Sequence, residues 1–112
     1  MKSLLVLGLL TMLLTLGCLG DQSIAVVYRN DTGGNVTVYP YGRDYPKVAL
    51  SVAAGGEEKS DLLVSDTQPK THIARVEAVD AAGNLIYCHS FNYGELRQLG
   101  GKIQIRSGDN TC

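Results

Sequence analysis

The stretch THIARVEAVDAAGNLIYCHSF, residues 71–91, decides the fold of this chain. Its first half alternates small apolar residues with the charged residues Arg75 and Glu77, which is the period of a strand with one apolar face. The apolar positions are Ala74, Val76 and Ala78. A second apolar and aromatic run, residues 85–91, follows the turn residues DAAGN, in which we expect Gly83 to take the left-handed conformation. The stretch therefore predicts two strands joined by a tight turn.

The rest of the chain repeats this pattern of short extended runs separated by turn residues. Five further strands are predicted, over residues 23–30, 35–41, 47–53, 59–65 and 102–107. Asp31, Thr32, Gly33 and Gly34 separate the first two of these, so we expect residues 23–41 to form a hairpin. In the last strand Ile103 and Ile105 should point inward.

One helical signal interrupts the strands. Asn92 can cap a helix, and Glu95 follows at the spacing of a capping box. Gly100 is placed to end the helix. Leu96 and Leu99 share one helical face, which we expect to lie over a sheet.

Seven short strands with regular turn signals predict an all-β fold, a small antiparallel seven-stranded β-sandwich of immunoglobulin-like or transthyretin-like type with one short helix before the last strand. The immunoglobulin hallmark is missing, since the chain has no Trp and Cys112 lies beyond the last strand. A small closed or partly open barrel is the alternative. Because no long helix is available for a crossover, we expect no parallel pair.

The N-terminus has the pattern of an export signal. Lys2 precedes an uncharged apolar run of 13 residues, 4–16. This run is shorter than the roughly 20 residues that a membrane-spanning helix needs. A signal peptide is therefore predicted over residues 1–17, with a short tether over 18–22 and a β-sandwich domain over 23–112.

The residues before Cys18, LTLG at 14–17, resemble the bacterial lipobox, in which the cysteine is acylated and becomes the new N-terminus. Thr15 and Leu16 depart from the residues most usual at those positions. The resemblance implies lipidation at Cys18 and a membrane-anchored lipoprotein of the cell envelope. The alternative is an ordinary cut after Gly20, which would give a soluble secreted or periplasmic protein.

With Cys18 set apart, Cys88 and Cys112 remain as an even pair that can bridge in an exported domain. Chain entropy assigns such a bridge about 3 to 4 kcal/mol. The alternative is that Cys88 is a buried thiol and Cys112 is loose in solvent.

Residues 75–105, RVEAVDAAGNLIYCHSFNYGELRQLGGKIQI, resemble a type of small bacterial secreted or lipoprotein β-domain. In that type a strand of the form R-V-E-A-x-D meets a glycine-containing turn, a second strand ends in Phe, and a short E-L helix leads to the closing strand. The resemblance implies a compact β-domain and implies no activity.

Charge and composition argue against several functions. Nine basic and eleven acidic residues remain once Lys2 is removed, so the domain lacks the charge of a nucleic-acid binder. His72 and His89 are the only histidines, and Cys88 and His89, as neighbours on a strand, point to opposite faces and cannot easily share a metal ion. No metal site, cofactor or catalytic motif is predicted.

The segment YPYGRDYP, residues 39–46, is the best candidate for a binding surface. Tyr39, Tyr41, Arg43 and Tyr45 are of the types that dominate interface energies. The competing interpretation is that the tyrosines pack over the end of the sandwich. We predict a non-catalytic envelope module that binds a protein or a glycan through this loop. The alternatives are a structural subunit that pairs through edge strands, or a small secreted enzyme or inhibitor.

Overall fold

A computed structural model describes residues 21–65 and 74–112 of the chain. The predicted leader, Cys18 and His72 lie outside the described residues.

The described residues form an all-β fold of two sheets with one short α-helix, as predicted. The strands are β1 Asp21–Asn30, β2 Val36–Tyr39, β3 Leu50–Val52, β4 Glu57–Ser65, β5 Ala74–Asp80, β6 Leu85–Phe91 and β7 Lys102–Ile105. The helix is α1, Tyr93–Gln98. A 3₁₀ turn spans Pro46–Val48, so the strand predicted over 47–53 is wrong in its first two residues, where Pro46 begins the turn. The strand order is β4-β1-β7 in the first sheet and β3-β2-β5-β6 in the second.

One apolar core lies between the two sheets, which gives a sandwich-like arrangement. Alternation along the strands explains it: Ala74, Val76 and Ala78 of β5 point inward, and so do Ile103 and Ile105 of β7, as predicted. The other core side chains are Val26, Tyr28, Val36, Val38, Val52, Leu62, Tyr87, Phe91 and Leu96. Burying each of the larger aliphatic side chains stabilises the fold by about 1.5 to 3 kcal/mol.

The turn between β5 and β6 follows the prediction. The carboxylate of Asp80 accepts the backbone N–H groups of Asn84 (2.9 Å) and Ala82 (3.0 Å). These bonds, led by the one from Asn84, lower the pKa of Asp80. Gly83 takes a positive φ of 85°, and the two strands then pair antiparallel, with a bulge at Ala78 and Val79.

The predicted hairpin of the first two strands is wrong, because β1 and β2 lie in different sheets. β1 pairs with β4 on one side and with β7 on the other, so neither of its edges is open to β2. β2 instead lies between β3 and β5. Residues 31–34 do form a turn, as predicted, but this turn carries the chain from one sheet to the other.

Asn30, the last residue of β1, fixes this crossing. Its side chain is fully buried, and its amide nitrogen donates to the carbonyl oxygens of Gly34 (2.7 Å) and Val52 (3.0 Å). Its side-chain oxygen accepts the backbone N–H (3.0 Å) and the hydroxyl (2.6 Å) of Thr32. The side chain thus bonds to the turn that leaves β1 and to the end of β3 in the other sheet.

The expectation of purely antiparallel pairing is also wrong, since β1 and β7 are parallel. A parallel pair needs a long crossover, but the crossover need not be a helix. Here the chain between Asn30 and Lys102 contains the whole second sheet and β4, and together they provide the connection.

The helix begins and ends where the sequence predicts. Asn92 accepts the backbone N–H of Glu95 (2.8 Å), and the Glu95 carboxylate accepts the N–H of Asn92 (3.4 Å), which completes the capping box. Leu96 is fully buried, but Leu99 is 48% exposed, so the prediction that both lie over a sheet is wrong for Leu99. Leu99 is the C-cap residue of a helix only six residues long, and it projects past the core.

Gly101 joins this helix to β7 and lies against the backbone of β1. It has a φ of 72°, its N–H donates to the carbonyl oxygen of Leu96 (2.9 Å), and its own carbonyl accepts the N–H of Val27 (2.8 Å). A Cβ at this position would overlap the carbonyl oxygen of Ala25 in β1. Gly100 also has a positive φ, of 64°, but open space surrounds it.

We therefore expect Gly101→Ala to lower the free energy of unfolding by about 3 kcal/mol or more, because β7 must move away from β1. Gly100→Ala is the matched control, and it should cost about 1 kcal/mol for the left-handed backbone alone. Urea denaturation of both variants measures the difference. Equal losses would contradict the close approach of Gly101 to β1.

Candidate functional site

Two surface regions carry the candidate functional residues. The first is the tyrosine loop, residues 39–46, which the sequence predicts. The second, which we call the seam groove, opens between β6, β7, α1 and the C-terminal segment 106–112, and has a volume of about 650 Å³.

A buried carboxylate holds the tyrosine loop. Glu77 lies on the outer face of β5, as predicted, but its side chain is only 6% exposed because the loop covers it. It accepts the backbone N–H of Arg43 (2.9 Å) and the guanidinium Nε of the same residue (3.1 Å). Arg43 therefore fixes the loop while about half of its side chain stays in solvent.

Gly42 makes this contact possible. Glycine adopts its positive φ of 88° readily, because it has no Cβ. A Cβ there would lie 3.0 Å from the Glu77 carboxylate. The loop closes with two turns, in which Gly42 donates to the carbonyl of Tyr39 (3.1 Å) and Tyr45 donates to the carbonyl of Gly42 (3.2 Å). The backbone of the loop is therefore fixed before any partner binds.

The predicted loop residues differ in their surroundings. Tyr39 is half-buried and lies opposite Glu77 in the strand register. Tyr41 packs against the core, and its hydroxyl accepts the backbone N–H of Leu63 in β4 (2.9 Å). Tyr45 is 48% exposed, and its ring meets the ring of Tyr41 edge-on at 6.1 Å. The structure thus brings Tyr41 and Tyr45 together. Tyr41 and Arg43 also attach the loop to the rest of the fold, through Leu63 and Glu77 respectively.

Exposed apolar side chains gather around this loop. In the described part of the chain four large hydrophobic residues are exposed, and three of them belong to the loop or its neighbours. These three are Tyr45, Val48 and Leu63. With Tyr41 and Arg43 they form what we call the loop surface. Rigid aromatic and apolar groups of this kind bind partners at a low entropic cost.

We expect Glu77→Ala to lower the free energy of unfolding by about 2 to 4 kcal/mol, since it leaves the Arg43 amide unpaired. Hydrogen exchange at the Arg43 amide should accelerate at the same time. Arg75→Ala is the control, because Arg75 is exposed and its Nε lies 3.7 Å from the same carboxylate; it should cost less than about 1 kcal/mol. An unchanged exchange rate at the Arg43 amide in Glu77→Ala would contradict the conclusion that the Glu77 carboxylate fixes the tyrosine loop.

The seam groove was not predicted, although the sequence carries a signal for it. Tyr87, His89 and Phe91 alternate along β6 and so share its inner face. Tyr87 and Phe91 are buried, whereas the His89 side chain is 37% exposed because the two sheets part beside it. A histidine between two inward aromatic residues was the available sign. Burial raises the pKa of the Tyr87 hydroxyl, and the nearby carboxylate of Asp109 raises it further.

His89 is held by side chains from two other segments. The Thr111 hydroxyl lies 2.7 Å from Nδ1 of His89 and 3.2 Å from the carbonyl oxygen of Cys88, which can accept its proton. The other ring nitrogen, Nε2, lies 3.5 Å from a carboxylate oxygen of Glu95, and protonation of the ring would make this an ion pair. The ring packs on Phe91 with a centroid distance of 4.3 Å.

The hydroxyl, the imidazole and the carboxylate connect three segments, namely the C-terminal segment, β6 and α1. The arrangement holds the C-terminal segment against β6 and orients the imidazole in the groove.

A disulfide joins Cys88 to Cys112, which confirms the predicted pairing. The two Cα atoms are 5.4 Å apart. The bond holds the C-terminal segment along the outer edge of β6, where Cys88 donates to the carbonyl of Asp109 (3.0 Å) and accepts the N–H of Thr111 (2.8 Å). Gly108 donates to Ile86 in the same way (3.2 Å). The disulfide therefore keeps this edge covered.

Residues 21–65 and 74–112 contain neither a cluster of metal ligands nor a membrane-spanning helix. Within these ranges no three His, Cys, Asp or Glu side chains are grouped closely enough to hold a metal ion. No helix in the same ranges has the length and apolar character needed to cross a bilayer.

Comparison with known proteins adds no relative: no protein-family model, curated protein or solved structure matches this chain.

Proposed function

We propose that this chain is an exported, lipid-anchored, non-catalytic module of the bacterial cell envelope that binds a partner protein through the loop surface. The observation that carries the binding part of the proposal is the rigid tyrosine loop, fixed by Glu77 and surrounded by exposed apolar side chains. The partner is a protein rather than a glycan in this proposal, because Val48 and Leu63 add aliphatic surface that suits a protein interface.

The export part of the proposal is supported by the short apolar leader, the lipobox-like residues before Cys18 and the disulfide. Disulfides persist in oxidising compartments outside the cytosol. The likeness of residues 75–105 to small bacterial secreted and lipoprotein domains is consistent with this assignment.

For the fold we propose a seven-stranded sandwich of transthyretin-like type. The immunoglobulin type places its first two strands side by side in one sheet. Here the first strand lies between the fourth and the seventh, and the second strand lies in the other sheet. This order favours the transthyretin-like alternative.

Intact-mass spectrometry of the native protein tests the anchoring. We expect the mature chain to begin at Cys18 with a diacylglyceryl adduct, and to gain two hydrogens on reduction of the Cys88–Cys112 bond. A chain that begins at Asp21 without lipid would replace anchoring by secretion. A chain that retains Met1 would overturn export altogether.

Substitution of exposed residues tests the loop surface. In pull-downs from a cell-envelope extract with the purified disulfide-bonded domain, we expect Tyr45→Ala and Leu63→Ser to weaken capture of the partner at least about tenfold, while stability falls by no more than about 1 kcal/mol. Leu99→Ser is the matched control, since Leu99 is as exposed as Tyr45 but lies on the seam groove. Undiminished binding by both loop variants would overturn the proposal, and binding that survives protease treatment of the extract would replace the protein partner by a glycan.

A further inference from the structure

The free edge of β7 faces the seam groove. In the parallel pair with β1, the backbone groups of alternate β7 residues point toward β1: Val27 donates to Gly101, and Asp31 donates to Ile105 (2.9 Å). The N–H and C=O of Gln104 therefore point away from β1. Within residues 21–65 and 74–112, β7 pairs with β1 alone, and no turn or loop bond reaches the backbone of Gln104.

Local bonds limit this free edge at both ends. Lys102 donates its N–H to the carbonyl of Leu99 (3.3 Å), and the carbonyl of Arg106 accepts the N–H of Asp109 (3.3 Å). The groups left between these bonds are the carbonyl of Lys102, both backbone groups of Gln104 and the N–H of Arg106. Two acceptors and two donors in this order match the backbone of one short extended segment.

The groove lies directly beside this edge. Its lining includes the consecutive residues Lys102, Ile103 and Gln104. Consecutive strand residues point to opposite faces, so a groove that touches all three must meet the strand at its edge. Across the groove stand the aromatic side chains of β6, and Leu99, 48% exposed, lies at the helix end.

The other strand edges within residues 21–65 and 74–112 are short or partly covered. The C-terminal segment covers β6, and the hydroxyl of Tyr41 bonds to the outward N–H of Leu63 in β4. The remaining edge strand, β3, has only three residues, Leu50–Val52. Proteins protect exposed edges because an open edge pairs with other chains. The described β7 edge has no such cover, and it borders a groove large enough for side chains.

Charge on the outer face of β7, rather than charge within the groove, indicates which side chains would fit, because the groove lining also includes the carboxylates of Glu95 and Asp109. Lys102, Gln104 and Arg106 all project from the outer side of the first sheet, opposite to the buried isoleucines. A strand added to β7 would place its own outward side chains next to these residues, where opposite charges stabilise a pair. Its inward side chains would lie against Tyr87, Phe91 and Leu99, which favour apolar residues.

We propose that the seam groove binds an extended segment of another protein, which adds to β7 as a new edge strand and alternates acidic with apolar residues. This site is separate from the loop surface and does not depend on the function proposed for that surface. The backbone of the segment pairs with Gln104, its acidic side chains lie beside Lys102 and Arg106, and its apolar side chains fill the groove.

Fluorescence anisotropy with a labelled, end-capped heptapeptide that alternates Glu and Val tests the proposal on the disulfide-bonded domain. We expect this peptide to bind at least tenfold more tightly than the peptide that alternates Lys and Val. N-methylation of alternate backbone nitrogens, placed so that they face β7, should abolish binding although every side chain is kept. Equal binding of the methylated peptide, or of the Lys peptide, would overturn the proposal.

Two pairs of protein variants locate the contact. Gln104→Pro removes the free N–H and leaves the bonds to β1, so it should weaken binding at least tenfold, whereas Gln104→Ala removes only the side chain and should change binding less than threefold. The double variant Lys102→Glu with Arg106→Glu should prefer the Lys peptide. If Gln104→Pro fails to fold, the methylated peptide and the charge reversal still decide the question.

Two further results separate the possible occupants and sites. Tyr45→Ala should leave peptide binding unchanged, so a failure of the loop surface and a failure of the groove give different results. If the domain alone dimerises with rising concentration, and Gln104→Pro makes it monomeric, the occupant of the edge is a second copy and the proposal of a partner segment is wrong.

Discussion

The buried amide of Asn30 is the constraint on which the rest of the architecture depends. Four hydrogen bonds satisfy its side chain, and its backbone N–H and C=O bond to Gly56 and Gly55 in the turn before β4. One residue thus connects the end of β1, the crossing to the second sheet, the end of β3 and the start of β4. Because an unpaired buried amide would cost about 1 to 3 kcal/mol, this crossing is the arrangement that satisfies Asn30.

The alternation of apolar residues and the turn residues predicted most of the strands and the helix, but they did not predict which strands pair. The strands, the capping box of α1 and the turn at Gly83 depend on residues close in sequence, so the sequence shows them. The position of β1 between β4 and β7 depends on contacts with residues far along the chain, and no local pattern reports them. The disulfide was predictable from a count of cysteines, whereas the contact of Arg43 with Glu77, 34 residues apart, was not.

The two candidate surfaces share one structural basis. Glu77 and Cys88 are directly opposite each other on β5 and β6, and both lie on the outer face of the second sheet. The carboxylate of Glu77 fixes the tyrosine loop, and the disulfide of Cys88 fixes the C-terminal segment. A single cross-strand pair therefore holds both of the irregular segments that border the loop surface and the seam groove. The sandwich-like fold presents these surfaces at its periphery, and its core is apolar.

The parallel pairing of β1 with β7 has a consequence for the time course of folding. β1 is the central strand of its sheet, yet one of its partners lies more than 70 residues further along the chain. Domains rich in such distant contacts fold slowly, because a large loop must close before the contact forms. A newly made chain therefore cannot complete its first sheet until its last strand is available, and the edge of β1 that β7 will occupy stays exposed to other chains until then.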